Sequence, residues 1–212
     1  MINPVLEAIR NRRSNIRFKS TPIENDKVKA VLEAGRWAPS WTNVQPWRFI
    51  VIKDTEKKER MSSAVSTFFS LTVKDAPIVI AVCVNPEKDP FHFVEDGTTA
   101  TQNMALAAQS LELSTSWIGV FSLRDEKHST ERKLKEILDI PKEWRLISLL
   151  PLGVSTFKET KTRKGLSDIV EFDCFTTRDE YKSELEAINK PSEEIRKILE
   201  PVSVRDLQRG TV

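Results

Sequence analysis

Arg10, Arg12, Arg13, Ser14 and Arg17 crowd into eight positions near the start of the chain, and four guanidinium forks beside one hydroxyl suit a phosphate or carboxylate clamp. Cations gathered where a helix ends also complement its dipole, each worth about 0.3–1 kcal/mol, and for this cluster alone that plain reading is the better one. A second polar group is the stretch "APSWTNVQPWRF". Its Ser40, Thr42, Asn43 and Gln45 offer hydroxyls and amides that can read a flat heterocycle through paired donors and acceptors. The bland alternative is a proline-bounded turn with Trp37 and Trp47 packed in the core. Trp41, set among polar neighbours, is either a surface residue or an apolar wall over a ligand. A third group follows "LGV", where Lys158, Lys161, Arg163 and Lys164 fall in one loop, either a solvated charge run or a second anion clamp.

Other chemistries are missing. There is no GxGxxG, Walker loop, GxSxG or HExxH. Cys83 and Cys174 lie far apart without a CxxC pair or a histidine at ligand spacing, which argues against a metal site or a disulfide framework. His92 and His128 stand in polar surroundings and read as solvated surface residues. The 33 basic and 31 acidic residues leave a net charge of +2, so nucleic acid and anionic membrane are not expected partners. With neither a secretory signal nor a run near 18 apolar residues at hand, the chain reads as a soluble cytoplasmic protein.

The elements that must carry these groups follow from periodicity. Asn3 before Pro4 predicts a helix start, running toward "RNRRS". A second helix follows Pro22 and must end before Pro39, which makes the polar stretch its exit loop. "WRFIVIKD" and "PIVIAVCVN" read as strands, the second apolar enough for the middle of a sheet, with a helix over 55–70 between them. "EDGTTATQNMALAAQSLEL" predicts a long alanine-rich helix. "TSWIGVF" and "RLISLLPLGV" predict two more strands around a short helix at 134–138. The order of elements gives an α+β or α/β layered domain. From residue 173 the chain turns to charged, helix-prone segments, with a capping-box spacing at Thr177 and Glu180 and a break at Pro191.

Taken in order, "RRSNIRF", "APSWTNVQPWRF", "GTTATQNMALAAQSLEL" with "STSWIGVF", and "LGV" with "KTRKGLSDIV" resemble the nitroreductase family of flavoproteins. The resemblance covers residues 1–172 and leaves 173–212 as a C-terminal helical extension. It implies an α+β three-layer fold, a central, mostly antiparallel sheet flanked by helices, in an intertwined homodimer that binds FMN at two interface sites. It implies reduction of the flavin by NADH or NADPH, then transfer to a nitroaromatic, quinone or similar electron-poor small molecule in ping-pong order. The cofactor would then carry the redox chemistry, and no catalytic side chain is assigned. Matched position by position, Arg12, Arg13 and Ser14 would hold the phosphate and ribityl chain, with Lys161 and Arg163 closing on the same phosphate. Pro39, Ser40, Asn43 and Gln45 match the interface loop, where Gln45 serves equally well as a staple. Many members carry a basic residue where this chain has Ile16; Arg17 is expected to substitute. A relative specialised for flavin fragmentation or reductive dehalogenation, or a non-redox flavin-binding module, are the alternatives. The tail, anchored through Ile195 and Leu199, is expected to lie across the partner subunit.

Overall fold

The computed structural model describes residues 3–123, 129–155, 157, 162–175 and 181–188. The chain divides into two compact units, residues 11–159 and residues 1–10 with 160–212.

In the second of these, helix α1 (Pro4–Asn11, its last residue counted with the larger unit) is capped by Asn3, whose Oδ1 accepts from the amides of Val5 and Leu6 at 2.9 and 3.3 Å. Its apolar residues Val5, Leu6 and Ile9 are exposed. Further along this unit lie a 3-10 turn at Leu166–Asp168 and a helix at Lys182–Ile188.

The larger unit contains a five-stranded sheet. Its elements in order are α2 (Asn25–Arg36), β1 (Trp47–Ile52), α3 (Thr55–Ala64), α4 (Thr67–Asp75), β2 (Ile78–Val84), α5 (Phe93–Ser110), β3 (Ser114–Thr115), β4 (Ile118–Gly119), α6 (Thr130–Ile137) and β5 (Arg145–Gly153). The sheet order is β1-β2-β5-β3, with β4 also on β5, and every strand pairing is antiparallel. The expected "TSWIGVF" strand is thus two short pieces. The expected helix over 55–70 is likewise broken, because Val65 turns extended and buries itself, and Ser66 opens α4.

All of β2 is buried, as its unbroken apolar character predicts, and its side chains alternate between two cores. Val79, Ala81 and Cys83 face Met61, Val73, Leu134 and Leu138 on the α3, α4 and α6 side. Ile78, Ile80 and Val82 face Val28, Val31, Met104 and Ala108 on the α2 and α5 side. The result is three layers, helices covering both sheet faces.

Strand β5 breaks the period. Val82 pairs with Ser148 and Cys83 with Leu146, so Ile147 is an extra residue in β5. This bulge resets the alternation, placing Leu146 and Leu149 in one core and Leu150 and Leu152 in the other. Ile147 itself presses on α5 at Gly97, where an added Cβ would lie 2.6 Å from Ile147 Cγ1 and 3.0 Å from Val84 Cγ1. Glycine there lets the start of α5 rest on the sheet.

Candidate functional site

Beyond α1 the chain runs along the sheet edge. Asn15 N–H donates to Thr115 O at 2.8 Å, Thr72 Oγ1 donates to Ile16 O at 3.0 Å, and Lys19 N–H donates to Val154 O at 2.8 Å. Three tethers in five residues fix this backbone. Arg12 and Arg13 are half-buried, with Arg13 Nη1 donating to Arg12 O at 2.8 Å, while Ser14 and Arg17 are exposed. Asn15, which sequence reasoning passed over, is 7% exposed, and its Oδ1 has no hydrogen-bond partner among the described residues. A buried acceptor left so is costly unless something donates to it.

The polar loop leaves α2, whose Gly35 allows close approach to α5: a Cβ there would meet Met104 Cγ at 2.8 Å. Trp37 does not enter the core. It is 71% exposed, because the helix end turns its ring outward, where Nε1 donates to Glu33 Oε1 at 2.9 Å and Arg36 lies over it. Trp47 is half-buried at the start of β1. Residues 41–43 form one 3-10 turn, and Thr42, Asn43 and Gln45 have φ of 45°, 61° and 49°. Such left-handed conformations cost about 1–2 kcal/mol each for non-glycine residues and persist only when other contacts impose them.

Those contacts are visible. Gln45 N–H donates to Ser40 Oγ at 3.0 Å and Gln45 Nε2 to Asn43 O at 3.3 Å, so Gln45 does staple the loop. Thr99 Oγ1 donates to Pro39 O at 3.2 Å, and Trp41 N–H donates to Asp96 Oδ1 at 3.1 Å. Asp96 is buried in the first turn of α5. Burial pushes its carboxyl above the usual range, the nearby Asp89 charge adding to this against the bond from Trp41.

Of the two histidines, His92 departs from expectation. His128 lies outside the described residues. His92 is not merely a solvated surface group: its ring stacks on Trp41 with centroids 4.1 Å apart, and Nδ1 lies 3.2 Å from Asp89 Oδ1. Trp41 remains 55% exposed. Asp89 and Asp96 escaped sequence reasoning, and His92 was read as a surface residue, because none forms a motif; the Asp-Pro-Phe-His run before α5 was the available signal.

Arg12 to Ser14 and Pro39 to Gln45 are anchored at different positions along β5. Ser14 bridges Thr115, which pairs with Leu152, whereas the loop is held by α5 at Asp96, next to Gly97 on Ile147. Five residues of β5 separate these anchors, about 17 Å at about 3.4 Å per residue. Arg163 is exposed in the smaller unit, its Nη1 donating to Thr162 O at 3.0 Å; Lys161 lies outside the described residues. Among the described residues no group of three or more His, Cys, Asp or Glu could hold a metal ion, and no helix is long and apolar enough to cross a membrane.

A helix-covered antiparallel sheet with a cationic edge and a strained amide-rich turn defines an α+β domain of the nitroreductase type. The model of the nitroreductase family matches residues 9–71 and 66–154, and the chain belongs to that family. It is 35% identical over 151 residues, 70% of this chain and 76% of the relative, to a protein of Methanothermobacter thermautotrophicus provisionally named NADH dehydrogenase/NAD(P)H nitroreductase. Among solved structures it resembles an FMN-dependent nitroreductase from Clostridium difficile R20291, with TM-score 0.70, 27% identity and coverage of 80% of this chain and 99% of that one. A provisionally named nitroreductase from Desulfovibrio desulfuricans, solved in complex with FMN, is similar with TM-score 0.71, 27% identity and coverage of 82% and 99%.

Proposed function

We propose that this chain is an FMN-dependent NAD(P)H oxidoreductase that reduces nitroaromatics, quinones or similar electron-poor acceptors in ping-pong order. The observation that carries the reading is the donor set at the sheet edge: two half-buried guanidinium groups and a hydroxyl next in sequence to Asn15, whose buried Oδ1 has no hydrogen-bond partner among the described residues. That set fits FMN, which needs cations and donors at its phosphate and both donors and acceptors along its polyol and ring edge. The names of the relatives support the same cofactor and electron donor.

When bound, FMN would supply the two-electron chemistry that links NADH or NADPH to the acceptor. Arg12, Arg13 and Ser14 would hold the phosphate and ribityl chain, and Arg17 would add positive charge in place of a basic residue at position 16. Lys161 and Arg163 belong to the proposal as further phosphate ligands. Pro39, Ser40, Asn43 and Gln45 shape the turn that meets the flavin, and Trp41 lines the acceptor pocket.

A homodimer in which the turn of one chain faces the sheet-edge donors of the partner unites the two groups, whose anchor positions on β5 lie about 17 Å apart along the strand. The exposure of Trp37 supports such a surface on the larger unit. In this reading residues 1–172 form the flavin domain and 173–212 lie across the partner.

The test is an anaerobic visible spectrum of FMN-reconstituted protein. The flavin band should bleach with NADH or NADPH and return with a quinone. A protein that binds no FMN, or a bound flavin that neither nicotinamide bleaches, overturns the reading. Replacing Arg12 by Ala should weaken FMN binding about 10- to 100-fold, the range for a lost charge-assisted hydrogen bond.

A further inference from the structure

We infer that Asp89 and His92 are positioning residues: the Asp89 carboxylate holds the His92 ring, and that ring holds the Trp41 indole as a stacking platform for a flat, electron-poor aromatic acceptor. The acceptor half of this inference rests on the flavin-reductase reading. The buttress itself stands on geometry.

Asp89 is 3% exposed, and its Oδ1 accepts from Phe91 N–H and His92 N–H, both at 3.1 Å, with His92 Nδ1 at 3.2 Å. Burial pushes its carboxyl up, but these bonds outweigh it and leave it below the usual range, so the group is charged at neutral pH. Three contacts to one oxygen fix both the backbone and the ring of His92 just before α5. The ring then lies 4.1 Å from the Trp41 ring with the planes 19° apart, covering one indole face.

Trp41 is thereby held twice, through its ring by His92 and through its N–H by Asp96. It is the last residue before three of the next four take left-handed φ values, Thr42 among them, a β-branched residue for which this is costly. A turn strained in this way keeps its shape only if its ends are overdetermined. The stack supplies one of those constraints.

What Trp41 offers in return is its uncovered surface, with Phe91, 81% exposed, standing edge-on to the same imidazole at 6.3 Å. An indole face carries negative potential and prefers an offset, electron-poor ring. A pocket wall of this kind selects by the shape and electronics of the acceptor and leaves flavin binding to the sheet-edge donors.

The experiment uses the full-length chain carrying 5-fluorotryptophan, with His92→Ala, His92→Phe and Asp89→Ala variants, and Trp41→Phe to assign the resonance. In flavin-free protein, His92→Ala and Asp89→Ala should move the Trp41 fluorine signal and leave those of the other four tryptophans in place; His92→Phe should restore it. In FMN-loaded protein, His92→Ala should raise KM for a nitroaromatic about two- to tenfold with kcat kept, while KM for ferricyanide, which has no ring to stack, stays the same. An unmoved Trp41 signal in His92→Ala overturns the buttress. Equal changes for nitroaromatic and ferricyanide overturn the platform. If wild-type protein binds no FMN, the flavin reading and the acceptor half fall together, and the fluorine spectra still decide the buttress.

Discussion

The main-chain N–H of Trp41 donates to Asp96 Oδ1 across 3.1 Å, tying the turn that leaves α2 to the first turn of α5, 55 positions on. Asp96 is 4% exposed, and its second oxygen has no hydrogen-bond partner among the described residues. A buried carboxyl thus anchors the most strained turn of the unit.

The Asp96 carboxyl keeps its proton to a higher pH in the folded chain than in the unfolded one. Stability therefore falls as pH rises through the interval between the two values, and above that interval the full cost of the buried charge is present. Asp96→Asn keeps an oxygen for Trp41 N–H and removes the charge. Its Tm at pH 7 should equal or exceed that of the wild type, with the advantage gone below about pH 4. Asp96→Ala removes the acceptor and should cost about 1–2 kcal/mol, read from denaturant unfolding.

Glu131 is the opposite case. It is 5% exposed at the start of α6, and it accepts from Arg145 Nε at 2.7 Å, Arg145 Nη2 at 2.8 Å, Leu146 N–H at 3.1 Å and Ser122 N–H at 3.2 Å. Burial pushes its carboxyl up, but these bonds and the Arg145 charge outweigh it and hold it below the usual range. Its stabilisation is therefore present above the ordinary glutamate value, about 4.3, and lost as pH falls through the folded value. Glu131→Gln should cost about 3 kcal/mol at pH 7, with the gap to wild type closing in acid; calorimetry across pH 3–7 checks it.

Gly97→Ala should be destabilising although the site is helical. Alanine gains about 1 kcal/mol in helix propensity, but its methyl would meet Ile147 Cγ1 at 2.6 Å and Cβ at 3.2 Å, and a stiff β-branched residue at a bulge cannot swing away. Overpacking at about 1–3 kcal/mol wins, and the net loss should lower Tm by about 2–8 °C. A thermal melt decides this.

The two thiols should be distinguishable. Cys83 is 2% exposed in β2, and burial pushes its thiol up to about 12, whereas Cys174 is exposed. In native protein at pH 8, one thiol per chain should react quickly with an aromatic disulfide, and the second only on unfolding.

Much of the fold was legible because it is local. The unbroken apolar run of β2 can only be a strand buried on both faces, and Asn3-Pro4 can cap only a helix that starts there. Where distant parts compete, local signals failed. Trp37 has the composition of a core residue yet is exposed, since the helix that carries it ends pointing outward. The helix expected over 55–70 breaks because burying Val65 outweighs continuing a helical pattern.

The site divides along the same line. The residue types of the two polar segments, and the resemblance they carry, are properties of the sequence, because side-chain chemistry and spacing need no fold to be read. That the two segments are anchored at different positions along β5 follows only from its register against β3 and α5, set by the bulge at Ile147 and the missing side chain of Gly97. The stack of His92 on Trp41 joins residues 51 positions apart (92 minus 41) through a buried aspartate that no spacing rule singles out. Contacts of that kind arise from packing free energy over the whole layer, and only the tertiary structure decides them.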